Sequence, residues 1–499
     1  MTRNQCVACA FGGLLAVVAV CFWFWGQGNK TERLTLSVPA TQSVAAIVPR
    51  DNSVLQAIYR PRHFVPLWFG TDDQLTQDGR AVGALLSHAG EQGLPPARYS
   101  VPPLPVHASQ VDRARFDVAM TQAAIAYSHD MRYGLLTPQK LFPDVSLPAA
   151  HDDVVAALTA AVTQGEGAAY MRQLEPPGGM YSRLKTALAR YRAAPDQSWP
   201  QISSADDTAN LIQRLRLEGW IGAALPSGTD LTDAVRRYQT ATGLDVTGKL
   251  DDKTLAALNI SPSHRADQIA VNMERWRWVP RNLGRQYIMV NVPAASLVLI
   301  ENETAALVSR VVVGAPDKPT PILVAHAVAV TINPVWHVPK SIVDKEIKPK
   351  MAENPNYLDD KGMVEKDGDI TQPPGPTNAL GVAKFEMPNE FDVYLHDTPA
   401  KHAFYSDERA LSHGCVRVEQ IRPLVGHLLG LSDDELGQLV QTGQTQREPL
   451  RIPIPVLIQY WTAIPWQNGI AFRSDVYGRD AVMIAALHGD ALPEKLAAR

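Results

Sequence analysis

Outside an apolar N-terminal segment holding Cys6, Cys9 and Cys21, the chain has a single cysteine, Cys415. The rest of the protein has no second thiol with which to close a disulfide, so it must hold its shape by packed cores. A lone thiol preceded by Ser412-His413-Gly414 is either a small buried hydrophobe or a nucleophile. Its neighbours favour the nucleophile. Gly414 can take dihedrals closed to other residues and lets a substrate carbonyl approach. The amides of His413, Gly414 and Cys415 then become candidate oxyanion donors. A free thiol is mostly protonated at neutral pH, so a base is also needed.

His396 is the candidate base. It follows the run Phe391-Asp392-Val393-Tyr394-Leu395, whose apolar and β-branched content predicts a strand. A histidine at a strand end is rigidly held, which suits proton transfer. Asp397 and the backbone nearby are placed to fix its tautomer through the other ring nitrogen. A zinc site drawn from His396, His402, His413 and Cys415 fits no common ligand spacing, and no HExxH pattern occurs.

The blocks Tyr394-Leu395-His396-Asp397-Thr398-Pro399 and Ser412-His413-Gly414-Cys415-Val416-Arg417-Val418 together resemble the active-site signature of the L,D-transpeptidases. Asn333-Pro334-Val335-Trp336-His337-Val338-Pro339, Pro373-Pro374-Gly375-Pro376-Thr377-Asn378-Ala379-Leu380-Gly381 and Lys384-Phe385 resemble the large multidomain members of Gram-negative envelopes. The resemblance implies Cys415 as acylated nucleophile, His396 as general base and Asp397 as the residue that orients it. It implies Ser412, His413 and Gly414 as oxyanion-loop residues. Arg417 stands where some branches carry Asn, and is expected either to fix the loop or to bind a substrate carboxylate. Tyr394, Trp336 and Asn378 are expected to line the substrate cleft. No metal or cofactor is implied.

A chain of 499 residues is too long for one core. A net charge of −4, with no long basic run and no phosphate-cradling glycine loop, argues against a nucleic-acid partner. Residues 6–25 carry no charge and no proline, enough for a helix spanning roughly 30 Å, the thickness of a bilayer core. Trp23 and Trp25 stand at its outer end and no small-x-small cleavage site follows, so an uncleaved single-pass anchor is expected. The resemblance places the remainder in the periplasm, anchored to the inner membrane.

The fold class expected is multidomain α+β. Residues 1–26 form the cytoplasmic tip and anchor, and 27–50 a polar tether. Residues 51–200 read as helical, with apolar residues near helical spacing at 82–86 and 116–131, and resemble a scaffold domain. Residues 205–262 resemble a three-helix peptidoglycan-binding domain, although the usual Asp-Gly-x-Phe-Gly element is missing between Gly219 and Thr229. From residue 286 the pattern switches to period two, so 266–430 is expected as a β-rich, mixed-sheet sandwich carrying the catalytic residues. Its Lys-, Asn-, Asp- and Pro-rich stretch, about 341–380, is expected as an irregular insertion capping the cleft. Residues 431–499 close the fold.

The reaction implied is release of D-alanine from a tetrapeptide stem through a thioester on Cys415, followed by 3→3 cross-linking to a second stem. Partners implied are donor and acceptor wall peptides, with other wall-synthesis enzymes possible in principle. Three alternatives stay open: an L,D-carboxypeptidase or endopeptidase, D-amino-acid exchange, and a non-catalytic wall-binding scaffold.

Overall fold

The structure is a computed structural model, described here for residues 38–148, 152–193, 195–222, 228–467 and 469–490. The expected anchor at 6–25 lies outside these residues. Among the described residues no helix is long and apolar enough to cross a membrane.

The N-terminal helices pack around Gln110–Tyr133, a 24-residue helix opened by a Ser109/Asp112 capping box and closed at Gly134. Its buried Asp117 accepts hydrogen bonds from the Tyr59 hydroxyl at 2.6 Å and from the amides of Leu67 and Trp68, both at 2.9 Å, which pins the preceding loop to the helix. The tether expectation needs correcting at its end. Val38–Ile47 is a helix whose Val44, with Val48 just beyond its end, enters the same core, because four-residue spacing puts both on one face.

Three helices, Thr208–Leu217, Gly228–Thr242 and Asp252–Leu258, enclose a small core of Leu211, Leu215, Trp220, Val235, Tyr238 and Leu258. Inside it the guanidinium of Arg214 pairs with Glu218 at 2.9 Å. Helix Pro262–Arg277 then joins the domains. Ile269 and Met273 face the helical core, while Val271 faces the catalytic one.

The β-rich domain is built on one large mixed sheet. Its strands run in the order Val145–Ser146, Ile322–Ile332, Gln446–Gln459, Gln286–Asn291, Ser296–Glu301, Thr304–Gly314, Val416–Val418, Leu395–His396 and Ala383–Glu386. Ala383–Glu386 also pairs back onto Ile322–Ile332, so the expected mixed-sheet sandwich takes the form of a sheet closed on itself. Its interior holds Ile288, Leu297, Val311, Val330, Phe385, Leu395 and Val456.

Two local expectations change. The run 391–395 is strand only at its end, Leu395–His396. Asn389 folds the rest into a turn, its Nδ2 donating to Val393 O at 2.7 Å and its Oδ1 accepting from Phe391 N at 3.1 Å. The insertion at 341–380 is not irregular. It contains the helices Lys348–Glu353 and Tyr357–Asp360 and shares a three-stranded sheet of Trp336–His337, Asp369–Gln372 and Val364–Lys366. Val338, Val343, Ile347, Met363 and Ile370 give it a core of its own. These five apolar residues are scattered among lysines and aspartates, so no periodic run announces them.

Candidate active site

Strand Thr304–Gly314 builds the turn that carries Cys415 from both sides. Ser412 pairs with Gly314 in parallel, and Arg417 pairs with Val312 antiparallel. Residues 413–415 must therefore turn over the end of that strand, and Gly414 does so at φ 112°, a region that favours glycine. Ser412 Oγ donates to Cys415 O at 2.6 Å and accepts from Gly414 N at 3.2 Å. Gly414 O accepts from Thr320 Oγ1 at 2.7 Å, and the same hydroxyl oxygen accepts from Gly314 N at 2.7 Å. Thr320 was not foreseen. The one signal was its setting between Pro319 and Pro321, which lack amide donors and leave the side chain to tie the segment down. Thr320→Val strands Gly414 O and Gly314 N. The expected result is a loss of about 1–3 kcal/mol in unfolding free energy and a lower kcat, read by chemical denaturation and steady-state kinetics.

His396 is buried. Its Nδ1 donates to Asp397 O at 2.5 Å, which leaves Nε2 as the lone-pair nitrogen. The main-chain carbonyl of Asp397, not its carboxylate, is thus the group that orients the ring. The carboxylate accepts from Val382 N at 2.9 Å and from Lys401. A Cβ added at Gly381, which has φ 61°, would overlap that carboxylate. Burial first, then the charges of Arg417 and Lys384, push the imidazole down to about 3.

Cys415 and His396 line one open cleft of about 640 Å³. Leu395 pairs with Val416 and His396 with Arg417 in parallel, so Cys415 lies diagonally from His396, two residues off its ladder partner. The thiol and imidazole make no hydrogen bond in this structure. Sγ points to Asp392 O at 4.0 Å. Burial raises the thiol, opposed by Tyr394 and by the charges of Lys384 and Arg417. The amides of His413 and Cys415 have no hydrogen-bond partner among the described residues, whereas that of Gly414 is taken by Ser412. Two of the three expected oxyanion donors are therefore available.

Tyr394 and Trp336 line the same cleft, and the Tyr394 and His396 rings meet edge to face at 5.4 Å. Asn378 does not line it, which corrects that expectation. It is buried, with Nδ2 donating to Pro334 O, Gln372 O and Pro373 O and Oδ1 accepting from Leu380 N at 2.8 Å. A short amide that saturates four backbone groups fixes the Pro373–Leu380 loop, leaving nothing to offer a substrate.

The insertion is latched to the turn that carries Cys415. Glu346, on the π-helical turn Val343–Ile347, takes hydrogen bonds from His413 Nε2 and from Lys318 Nζ, the latter at 2.9 Å. Burial would raise its carboxyl, but the bonds from His413 and Lys318 outweigh that and hold it at about 2. A depressed carboxyl contributes stability that is complete above its unfolded value of about 4.3 and fades as pH falls toward 2. The latch thus stays charged on the Glu346 side at neutral pH. Glu346→Gln should speed amide exchange across 340–353 by roughly two- to fivefold at pH 7, the scale of one partly exposed ion pair.

Three protein families match the chain. Residues 285–445 match the L,D-transpeptidase catalytic domain, 204–258 a peptidoglycan binding domain and 53–188 a scaffold domain. A protein of Haemophilus influenzae described as an L,D-transpeptidase is 30% identical over 258 residues, covering 47% of this chain and 52% of that protein. The chain thus spans about half the length of the curated relative it matches. Among solved structures, the L,D-transpeptidase from Mycobacterium smegmatis aligns at 14% identity over 35% of this chain and 58% of its own, with a TM-score of 0.20. The L,D-transpeptidase from Stackebrandtia nassauensis aligns at 14% identity over 56% and 93%, with a TM-score of 0.21. The chain thus carries an L,D-transpeptidase catalytic domain, joined in one polypeptide to a scaffold domain and a peptidoglycan binding domain.

Proposed function

We propose that this protein cross-links peptidoglycan stems 3→3 through a cysteine acyl-enzyme. Nε2 of His396 takes the proton of Cys415. Sγ attacks the carbonyl carbon of the diamino acid at position three of a tetrapeptide donor. The oxyanion sits against the amides of His413 and Cys415. As the C–N bond to the terminal D-alanine breaks, His396 returns the proton to the leaving amine. The side-chain amine of a second stem then attacks the thioester, loses its proton to His396 and expels the thiolate.

The observation that carries this reading is the Nδ1–H bond from His396 to Asp397 O, which leaves an unprotonated Nε2 in the same cleft as a lone cysteine. The diagonal thiol–imidazole placement agrees with this role, since catalytic hydrogen bonds commonly tighten only around substrate. The peptidoglycan binding domain would hold the glycan nearby, and residues 6–25 would keep the enzyme at the membrane facing the wall.

The test uses purified full-length protein and disaccharide tetrapeptides. The expected products are free D-alanine, a Cys415 adduct of tripeptide mass, and 3→3 dimers by mass spectrometry. Tripeptides without dimers would replace cross-linking with hydrolysis, and the absence of any Cys415 adduct would end the reading.

A further inference from the structure

A row of three side chains crosses the sheet beneath the cleft. His396 pairs with Lys384 on one neighbouring strand and with Arg417 on the other. Residues directly opposite one another on adjacent strands share a face, so the imidazole sits between two cations. All three line the cleft.

Neither cation is neutralised. Among the described residues, Lys384 and Arg417 make no ion pair with any carboxylate. Lys384 Nζ rests 4.1 Å from the Tyr394 ring centroid, a contact that orients it without cancelling its charge. The acids of the cleft are spent elsewhere or face solvent. Glu346 is committed to His413 and Lys318, Asp397 to Val382 N and Lys401, and the exposed Asp392 makes no ion pair with either cation. Two half-buried cations with no counter-charge in one cleft are costly unless a ligand supplies it.

We propose that Lys384 and Arg417 form a carboxylate cradle astride His396, which selects donors bearing a free carboxylate that reaches the cradle when the scissile bond is at Cys415. The identity of the donor rests on the transpeptidase reading, whereas the cradle itself rests on the ladder register. A carboxylate in the cradle also acts on the base. Both cations depress the imidazole. An anion between them restores its basicity, so a donor lacking the carboxylate loses kcat as well as affinity. Two carboxylates have the right chemistry: that of the leaving D-residue and that at the far end of the diamino acid side chain.

The first arm of the test needs no wall substrate. Cys415 of the full-length protein is alkylated with iodoacetate and with its neutral isostere iodoacetamide, and the rates are followed by peptide mass. The ratio of the two rates cancels any change in thiol reactivity. It should fall about tenfold in Lys384→Gln, the scale of one charge-assisted hydrogen bond, and stay within about twofold of wild type in Lys384→Arg. An unchanged ratio in Lys384→Gln overturns the cradle.

The second arm compares acylation of Cys415 by the tetrapeptide, its C-terminal amide and its side-chain amide. The amide that loses about tenfold or more in wild type, and loses nothing further in Lys384→Gln, identifies the carboxylate held. Equal rates for all three donors overturn donor selection. If no donor acylates the wild-type enzyme while the alkylation ratio responds to Lys384, the transpeptidase reading fails and the cradle stands.

Discussion

Cys415→Ala is expected to remove the Cys415 adduct and the 3→3 dimers together, with kcat falling on the order of a million-fold, as when the nucleophile of a covalent mechanism is deleted. Its fold should survive. Cys415 is only partly buried and its side chain meets Asp392 O at 4.0 Å and Tyr394, contacts too weak to hold the fold. The turn around it is held by Ser412 and Thr320 through backbone atoms that alanine retains. Denaturation should therefore change by less than about 1 kcal/mol while activity disappears. Dimers persisting at the wild-type rate would assign the chemistry to another residue.

His396→Gln is expected to lower kcat by about 10²- to 10⁴-fold, the contribution of a positioned general base. It also carries a stability signature with a definite sign. The folded imidazole sits near 3, well below its unfolded value of about 6.5. Between those pH values the unfolded chain binds a proton that the folded chain refuses, so wild-type stability falls as pH drops through this window. Glutamine does not titrate. The variant should lose stability less steeply than wild type between pH 6.5 and 4, measured by urea denaturation. Parallel slopes would mean that His396 is charged in the folded protein.

Much of the site was legible from local sequence because its chemistry is local. The glycine before the thiol, the serine that closes the turn and the histidine at a strand end all act within a few residues of themselves. The helices at 110–133, 208–217 and 262–277 were readable for a similar reason: apolar spacing near 3.6 is a property of a short window. The cap was not. Its core draws Val338, Val343, Ile347, Met363 and Ile370 from separate turns and a strand, and no window contains the pattern. Asn378 was misplaced because an amide in a proline-rich loop looks alike whether it faces substrate or ties up carbonyls. Only its four backbone partners tell the two apart.

By itself, the sequence determined the candidate nucleophile, its turn, its candidate base and the division into helical and β-rich parts, since all follow from residue type and short-range spacing. Tertiary structure alone decided that the carbonyl of Asp397 orients the base, that Gly414 N is already occupied, and that Thr320 anchors the turn from 94 positions away. It alone placed Lys384 and Arg417 on either side of His396. The physical reason is strand register. A slip of one residue would turn each of these side chains to the opposite face, and register is set by pairing between segments far apart in the chain.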